Sequence, residues 1–391
     1  MKHIGIIGSF GSGNIGDEAA WMAVQRFLES KEPQWKYHTH IFHWASPYQT
    51  CGHKSHPIYL LTNNEMAWIN ENFKAMIIVG GGIVGWKWGL TKTPRLDTIL
   101  KELKIPIYTI SISAEKGVYS PSTKVNVETL MEVSKVFTVR DTYSQDNIEE
   151  LTGIKPDITP DVVSILGEKY PIDKKKVEEL KDVLMVNASN CLTDEMLAWW
   201  KSLFKELNVD DNISCIPFVP SRNDILMSTM SSSSNLFNFY QPEEIVSIMM
   251  QKNFVIAGRL HAAVFAATAK TPFFAINYHP KVKAFCDSIG YPHYYPKTND
   301  YPTDITEYGF DLSKINKEEL ISEIKKVMAN PVEPPNYHTA MDFLEEIYNK
   351  IESGDTEKVP CMYCGEDIEI NKTDKFVFCQ NCKNTNHTNN V

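Results

Sequence analysis

The chain has 391 residues, and at about 150 residues per domain this length predicts two or three compact units. With 43% hydrophobic and 23% charged residues, the composition is ordinary for a soluble globular protein. Because 39 basic residues stand against 49 acidic ones, the formal net charge is −10, which excludes a general polyanion-binding surface. Any anion site must therefore be local, and nucleic acid is not an expected partner.

The N-terminal sequence MKHIGIIGSFG has only a short apolar run before a glycine-rich loop, and a signal peptide has a longer one. No stretch approaches the ~20 apolar residues of a transmembrane helix. Four of the eight cysteines are scattered and four fall in the last 31 residues, which is not the disulfide framework of a secreted protein. We therefore expect a cytoplasmic protein without a transmembrane segment.

Residues 1–168 alternate short β-rich runs with helical stretches. The runs predict strands at His3 to Gly8, Lys36 to Trp44, Ala75 to Val79, Pro106 to Ile112 and Val136 to Val139, and a helix from Asp17 to Ser30. Strands separated by helix-length connections indicate a parallel sheet with helices on both faces. We expect an N-terminal Rossmann-like domain here.

The same alternation begins again after Tyr170 to Lys176, a proline- and lysine-containing segment that we interpret as a linker. Here the predicted strands are Val183 to Asn187, Ile213 to Phe218, Phe254 to Ala257 and Pro272 to Ile276, and the helices are Asp194 to Leu207, Pro242 to Gln251 and Arg259 to Ala269. This pattern predicts a second Rossmann-like domain at 177–335, followed by a helix within 336–353. Two such domains would place their strand ends at a shared cleft.

Residues 356–391 form a separate cysteine-rich tail. Its two Cys-x-x-Cys pairs, Cys361 with Cys364 and Cys379 with Cys382, have the spacing of a structural Zn²⁺ ribbon, and redox dithiols are the alternative. A hydrophobic hairpin is predicted between the pairs, at Ile368 to Phe378. From residue 355 onward there are six acidic and four basic residues, the wrong sign for binding a phosphate backbone. A protein partner or docking of an acceptor is the better interpretation of this ribbon.

The glycine-rich loop at 11–16, GSGNIG, matches the GxGxxG pattern of dinucleotide-binding sites. However, no acid follows the second strand to bind a ribose, and Asp17 and Glu18 would occupy the amides that a pyrophosphate needs. The loop is better interpreted as a tight strand-to-helix turn with an acidic cap, which leaves Asn14 and Asp17 to face the cleft.

Five short motifs in the sequence resemble the polysaccharide pyruvyl transferase family: GNIGDEA at 13–19, VGGG at 79–82, VRD at 139–141 followed by Ser144, AGRLHA at 257–262, and HPK at 279–281. The resemblance implies a GT-B-like fold, with the acceptor on the N-terminal domain and the donor on the second. It also implies transfer of a pyruvyl group from phosphoenolpyruvate to a hydroxyl pair of a glycan, forming a ketal and releasing phosphate. The family's donor-site residues map to Arg140, Arg259, His261 and Lys281.

These residue types suit a small trianion, because guanidinium and ammonium groups converging on one cleft can neutralise a phosphate and a carboxylate together. His261 is the candidate general acid/base or phosphate ligand. For Arg140 an ion pair with Asp141 is the competing interpretation, and Lys281 could simply be solvated on a loop.

Acceptor-side candidates come from the N-terminal domain. Asp17 could deprotonate an acceptor hydroxyl or act only as a first-turn acid, and Asn14, Gly81 and Gly82 are further candidates for substrate binding. Trp86 and Trp88 could be sugar platforms or core residues, and Asp224 is a weaker acid candidate. No cofactor is expected for catalysis, and the glycan acceptor could be lipid-linked. The alternative functions are a GT-B-like glycosyltransferase that uses a nucleotide sugar and a non-catalytic scaffold that recruits a partner through the ribbon.

Overall fold

The structure is a computed structural model. It describes residues 2–11, 13–42, 55–85, 93–116, 119–169, 183–186, 193–219, 242–277, 279–294, 315–335, 340–353, 356–360, 364, 367–371, 376–378 and 385–387. The chain divides into two compact units, Met1–Met341 and Asp342–Val391.

Within the described residues, eight strands form the first sheet: β1 (His3–Gly8), β2 (Lys36–Ile41), β3 (Ser55–Pro57), β4 (Phe73–Val79), β5 (Gly82–Val84), β6 (Ile107–Ala114), β7 (Ser134–Val139) and β8 (Asp157–Ile158). Their order is β3-β2-β1-β4-β6-β7-β8, with β5 beside β6, and every pair is parallel. The strand order reverses between β1 and β4, and ligands commonly bind at the carboxyl ends of strands near such a point.

Helices connect these strands: α1 (Ile15–Lys31), α2 (Asn63–Asn72), α3 (Leu96–Glu102), α4 (Pro121–Val133) and α5 (Thr142–Thr152), with a 3₁₀ turn (Val162–Ile165) and the short α6 (Leu166–Lys169) after β8. All eight residues of β6 are buried, as expected for a central strand covered on both faces. Capping boxes at Thr62 and Ser120 fix the starts of α2 and α4.

The second sheet contains β9 (Val183–Val186), β10 (Ile213–Cys215), β11 (Phe254–Ala257), β12 (Phe273–Ile276) and β13 (His293–Tyr294), in the parallel order β10-β9-β11-β12-β13. Its helices are α7 (Asp194–Leu207), α8 (Pro242–Met250), α9 (Leu260–Thr268), α10 (Pro280–Ser288) and α11 (Lys317–Ala329). Both sheets belong to the first compact unit.

Helix α9 is where the two sheets meet. Its sequence LHAAVFAAT has one polar residue before its last position, and all its residues except His261 are buried. It contacts β11 and β12 of its own sheet and also the 3₁₀ turn at Val162–Ile165, which follows the first sheet. A helix enclosed on both sides must be apolar all round, which explains this composition.

The second unit contains α12 (Met341–Ser353), β14 (Thr356–Pro360), β15 (Asp367–Asn371), β16 (Phe376–Phe378) and β17 (Thr385–His387). The predicted hairpin at Ile368 to Phe378 is wrong: β15 pairs with β14 and β16 pairs with β17, both antiparallel. Strands β14 and β15 flank the first Cys-x-x-Cys segment, and strands β16 and β17 flank the second. The predicted hairpin would instead have joined β15 to β16.

The predicted parallel α/β architecture is confirmed, and the boundaries of several elements differ. Strand β2 ends at Ile41 and β10 at Cys215, both earlier than the apolar runs indicated. The linker segment at Tyr170 to Lys176 and the candidates Trp86, Trp88 and Asp224 lie outside the described residues. No helix in the described part of the chain is long and apolar enough to span a membrane.

Candidate functional site

The glycine-rich loop between β1 and α1 binds a carboxylate of the chain itself. Glu18 is buried, and its Oε1 accepts the backbone N–H of Gly11 at 2.7 Å and of Gly13 at 3.1 Å. Because these amides are the groups that would hold a pyrophosphate, the loop is an acidic strand-to-helix turn rather than a dinucleotide site.

Asp17 lies in the first turn of α1. Its Oδ2 accepts a hydrogen bond from Asn14 Nδ2 at 2.8 Å, and Asn14 also caps α1. Gly81 has a positive φ of 71°, and a Cβ there would lie 2.9 Å from Asp17 Oδ1, so this glycine makes room for the carboxylate. Burial raises the pKa of Asp17, while the charges of His261 and Lys281 act to lower it.

Arg140 immediately follows β7 and is buried in a pair of ion pairs. Its Nη1 lies 3.2 Å from Asp161 Oδ2 and its Nε 3.3 Å from Asp141 Oδ2. Burial acts to lower the pKa of Arg140, but the two carboxylates outweigh it and raise the pKa, so the guanidinium stays charged. The ion pair with Asp141 that competed with anion binding in the sequence is thus present.

Asp161 is a site residue that the sequence analysis missed. It follows β8, and its Oδ1 accepts the N–H of Val163 at 3.0 Å to cap the 3₁₀ turn. Its Oδ2 faces both Arg140 and the Nε2 of His261, the latter at 3.5 Å. Burial acts to raise the pKa of Asp161, but the hydrogen bond and charge of His261 and the charge of Arg140 hold it well below its usual range.

His261 lies in the first turn of α9, and its side chain is 13% exposed. The imidazole rests on the start of α1, because a Cβ on Gly16 would lie 1.9 Å from His261 Nδ1. A backbone hydrogen bond of 2.9 Å from Ile15 N to Phe218 O joins the same end of α1 to the segment that follows β10 of the second sheet. Arg259 occupies the N-cap position of α9 and is partly exposed, which confirms its predicted place at a helix start.

Lys281 lies in the first turn of α10, so the prediction that it is on a loop is wrong. Proline at the first helical position and the side chain of His279, which accepts the N–H of Lys281, start the helix at Pro280. Lys281 Nζ lies 2.8 Å from Oε1 of Glu115, a buried acid directly after β6. Burial and the nearby Lys281 charge lower the pKa of His279 to about 3, so its imidazole is neutral.

The structure therefore brings Arg140, His261 and Lys281 together around Asp17, where their charges act against the effect of burial, which raises the pKa of this carboxylate. Asp17 and Arg140 follow strands of the first sheet, and His261 and Lys281 follow strands of the second. Two buried acids that follow strands of the first sheet form the links: Asp161 contacts Arg140 and His261, and Glu115 contacts Lys281. Asp161 follows β8, a strand of only two residues that the sequence did not predict. Glu115 follows β6, and nothing in the sequence around β6 indicates that this acid pairs with a distant lysine.

The tail cysteines are described only at Cys364, which is exposed. The other three ribbon cysteines, Cys361, Cys379 and Cys382, lie outside the described residues, and among the described ones no group of three or more His, Cys, Asp or Glu could hold a metal ion. The strand registers nevertheless pair Pro360 with Asp367 and Phe378 with Thr385, so each Cys-x-x-Cys pair connects the ends of one antiparallel pair.

A sequence model described as polysaccharide pyruvyl transferase matches residues 14–280. The structure is similar in fold to UDP-GlcNAc 2-epimerase from Methanocaldococcus jannaschii, with a TM-score of 0.53 and 12% identity over 90% of this chain and 100% of that one. A similar likeness links it to the S. aureus MnaA-UDP co-structure, with a TM-score of 0.51 and 12% identity over 90% of this chain and 96% of that one. No curated protein matches the chain in sequence. These similarities show a GT-B-like fold.

Gly16→Ala should destabilise the protein, although alanine is the better helix former by about 1 kcal/mol. The new methyl group would overlap the His261 ring, and such overpacking costs about 1–3 kcal/mol. In a His261→Ala background the same substitution should become neutral or stabilising, as chemical denaturation of the four proteins would show. An equal loss in both backgrounds would contradict this contact.

Lys281→Met should lower the free energy of unfolding by about 3 kcal/mol, because it leaves the buried Glu115 without its ammonium partner. The double variant with Glu115→Gln should recover most of this loss. The exposed pair Lys124–Glu128 provides the control, and Lys124→Met should cost less than about 1 kcal/mol. Equal costs for the two lysine variants in urea denaturation would refute a buried link between the sheets.

Proposed function

Because the chain belongs to the polysaccharide pyruvyl transferase family, we propose that it transfers the pyruvyl group of phosphoenolpyruvate to two hydroxyls of a glycan. The reaction forms a cyclic ketal and releases phosphate. The observation that carries this proposal is the meeting of Arg140, His261 and Lys281 around Asp17 where the two sheets adjoin.

Phosphoenolpyruvate carries nearly three negative charges, which an acidic protein can hold only where cations converge. In this proposal Arg259 and Lys281 contact the phosphate and carboxylate directly, since both side chains are partly exposed at helix starts. Arg140 is buried against two carboxylates and adds its charge to the site.

The proposed chemistry begins with a proton delivered to the methylene carbon, which leaves an oxocarbenium-like carbon for the first sugar hydroxyl. Phosphate then departs and the second hydroxyl closes the ketal. Of the two hydroxyl protons, one ends on the new methyl group and the other on phosphate. We assign proton transfer at the donor to His261, and deprotonation of the acceptor to Asp17, because burial raises the pKa of this carboxylate and so makes it a better proton acceptor.

Asn14 orients Asp17, and Gly81 gives that carboxylate its space, so in this proposal both act on the acceptor side. Gly82, which begins β5, is the neighbouring candidate there. The acceptor is a glycan, free or lipid-linked, and the transfer needs no cofactor. Because phosphoenolpyruvate is a cytoplasmic metabolite, we place the reaction in the cytoplasm.

We assign the tail a structural Zn²⁺ held by Cys361, Cys364, Cys379 and Cys382. Two antiparallel pairs that each join their strands through a Cys-x-x-Cys segment fit such a site, since four thiolates complete a tetrahedral shell. The metal supplies folding energy to the small module and takes no part in the transfer. The module is proposed to dock a protein partner rather than nucleic acid.

Phosphoenolpyruvate at a hundred times its dissociation constant should raise the melting temperature by about 3 °C, and a nucleotide sugar should not. Arg259→Ala should abolish the rise, while Arg26→Ala, an exposed arginine on α1, should keep it. Phosphate release should require both phosphoenolpyruvate and polysaccharide from the source cells. Stabilisation by UDP-GlcNAc with none by phosphoenolpyruvate would overturn the proposal in favour of a nucleotide-sugar enzyme.

The purified protein should contain about one zinc per chain. A double substitution of Cys361 and Cys364 by serine should remove the metal, while Cys51→Ser, far from the tail in sequence, should keep it. Elemental analysis measures both. A metal-free wild-type protein whose tail resists proteolysis would refute the ribbon.

A further inference from the structure

The buried Asp161 is not among the residues that the family motifs in this sequence supply, yet it touches two that are. We propose that Asp161 is a positioning residue that holds the imidazole of His261 at the reacting centre. This inference rests on the proposed function, in which His261 transfers the proton.

The geometry gives each oxygen of Asp161 its own task. Oδ1 accepts the N–H of Val163 and so fixes the carboxylate on the 3₁₀ turn. Oδ2 is shared between Arg140 Nη1 at 3.2 Å and His261 Nε2 at 3.5 Å. The side chain is 4% exposed, so water does not compete for these contacts.

A buried carboxylate beside one ring nitrogen fixes the orientation of an imidazole. With Nε2 directed at Asp161, the other nitrogen, Nδ1, lies against Gly16 at the start of α1. Gly16 precedes Asp17, and of the neighbouring charges that of His261 has the largest effect on the pKa of this carboxylate. Asp161 therefore decides which ring nitrogen is directed at the substrates.

Arg140 complicates this arrangement, because the same Oδ2 also neutralises its guanidinium. Asp141 offers a matched comparison: it pairs with Arg140 Nε at 3.3 Å, and it caps α5 as Asp161 caps the 3₁₀ turn. Asp141 Oδ2 pairs with Arg140, whereas Asp161 Oδ2 faces both Arg140 and His261. Asparagine can replace either residue as a cap, so both variants should fold.

Asp161→Asn should lower the rate of phosphate release at saturating substrates by about 100-fold, the typical size of an acid/base contribution. Its dissociation constant for phosphoenolpyruvate, measured by calorimetry, should stay the same or fall, because one negative charge beside the anion is removed. Asp141→Asn removes the same charge from Arg140 and should lose much less turnover. If binding and turnover fall together in Asp161→Asn, or if the two variants lose turnover equally, the positioning role is overturned.

A second measurement needs neither substrate, so it separates this inference from the proposed function. The unfolding equilibrium constants of wild type, Asp161→Asn, His261→Gln and the double variant form a thermodynamic cycle. We expect a coupling of about tenfold, since each single variant removes one partner of the contact between Asp161 Oδ2 and His261 Nε2. A coupling that is absent would show that Asp161 does not hold the imidazole.

Discussion

The contact between the His261 ring and the backbone of Gly16 is the constraint on which the site depends. It brings the start of α9, from the second sheet, against the start of α1, from the first. Only a glycine allows this approach, because any Cβ at that position would overlap the imidazole. The GxGxxG pattern thus has a structural use that differs from phosphate binding: its last glycine admits a side chain from the other sheet.

Electrostatic balance is the second constraint, since the chain is acidic and its site is densely charged. Arg140 has the carboxylate of Asp161 beside it, and Lys281 has that of Glu115. Such pairs let charged groups remain buried before any substrate arrives, because an isolated buried charge would cost several kcal/mol. These pairs also make the site nearly neutral. Its affinity for an incoming anion therefore depends on how easily a carboxylate in the site becomes protonated.

Of these carboxylates, Asp17 is the one that is most easily protonated. Asp161 and Glu115 form ion pairs with cations, whereas Asp17 accepts a hydrogen bond from the neutral amide of Asn14 and lies in the space left by Gly81. Burial raises its pKa, so protonation costs less at Asp17 than at Asp161, whose pKa is held low. When Asp17 takes up the proton of an acceptor hydroxyl in the proposed transfer, it also loses the negative charge that opposes the trianion.

Which parts of the fold and the site could be predicted from the sequence depends on how far apart in the chain the interacting residues lie. Strand periodicity and turn residues are local, so the parallel sheets, the helix start at Arg259 and the acidic glycine turn were all predictable. The pair of Arg140 with its neighbour Asp141 was also open to prediction, but the pair of Glu115 with Lys281 was not, because these two residues lie 166 residues apart and nothing in either neighbourhood indicates the other. Asp161 was not predicted as a site residue for a related reason, because it follows a two-residue strand whose existence depends on pairing with β7. Sequence patterns thus locate groups at the ends of single strands, whereas this site arises between two sheets, where acids from the first sheet pair with His261 and Lys281 from the second.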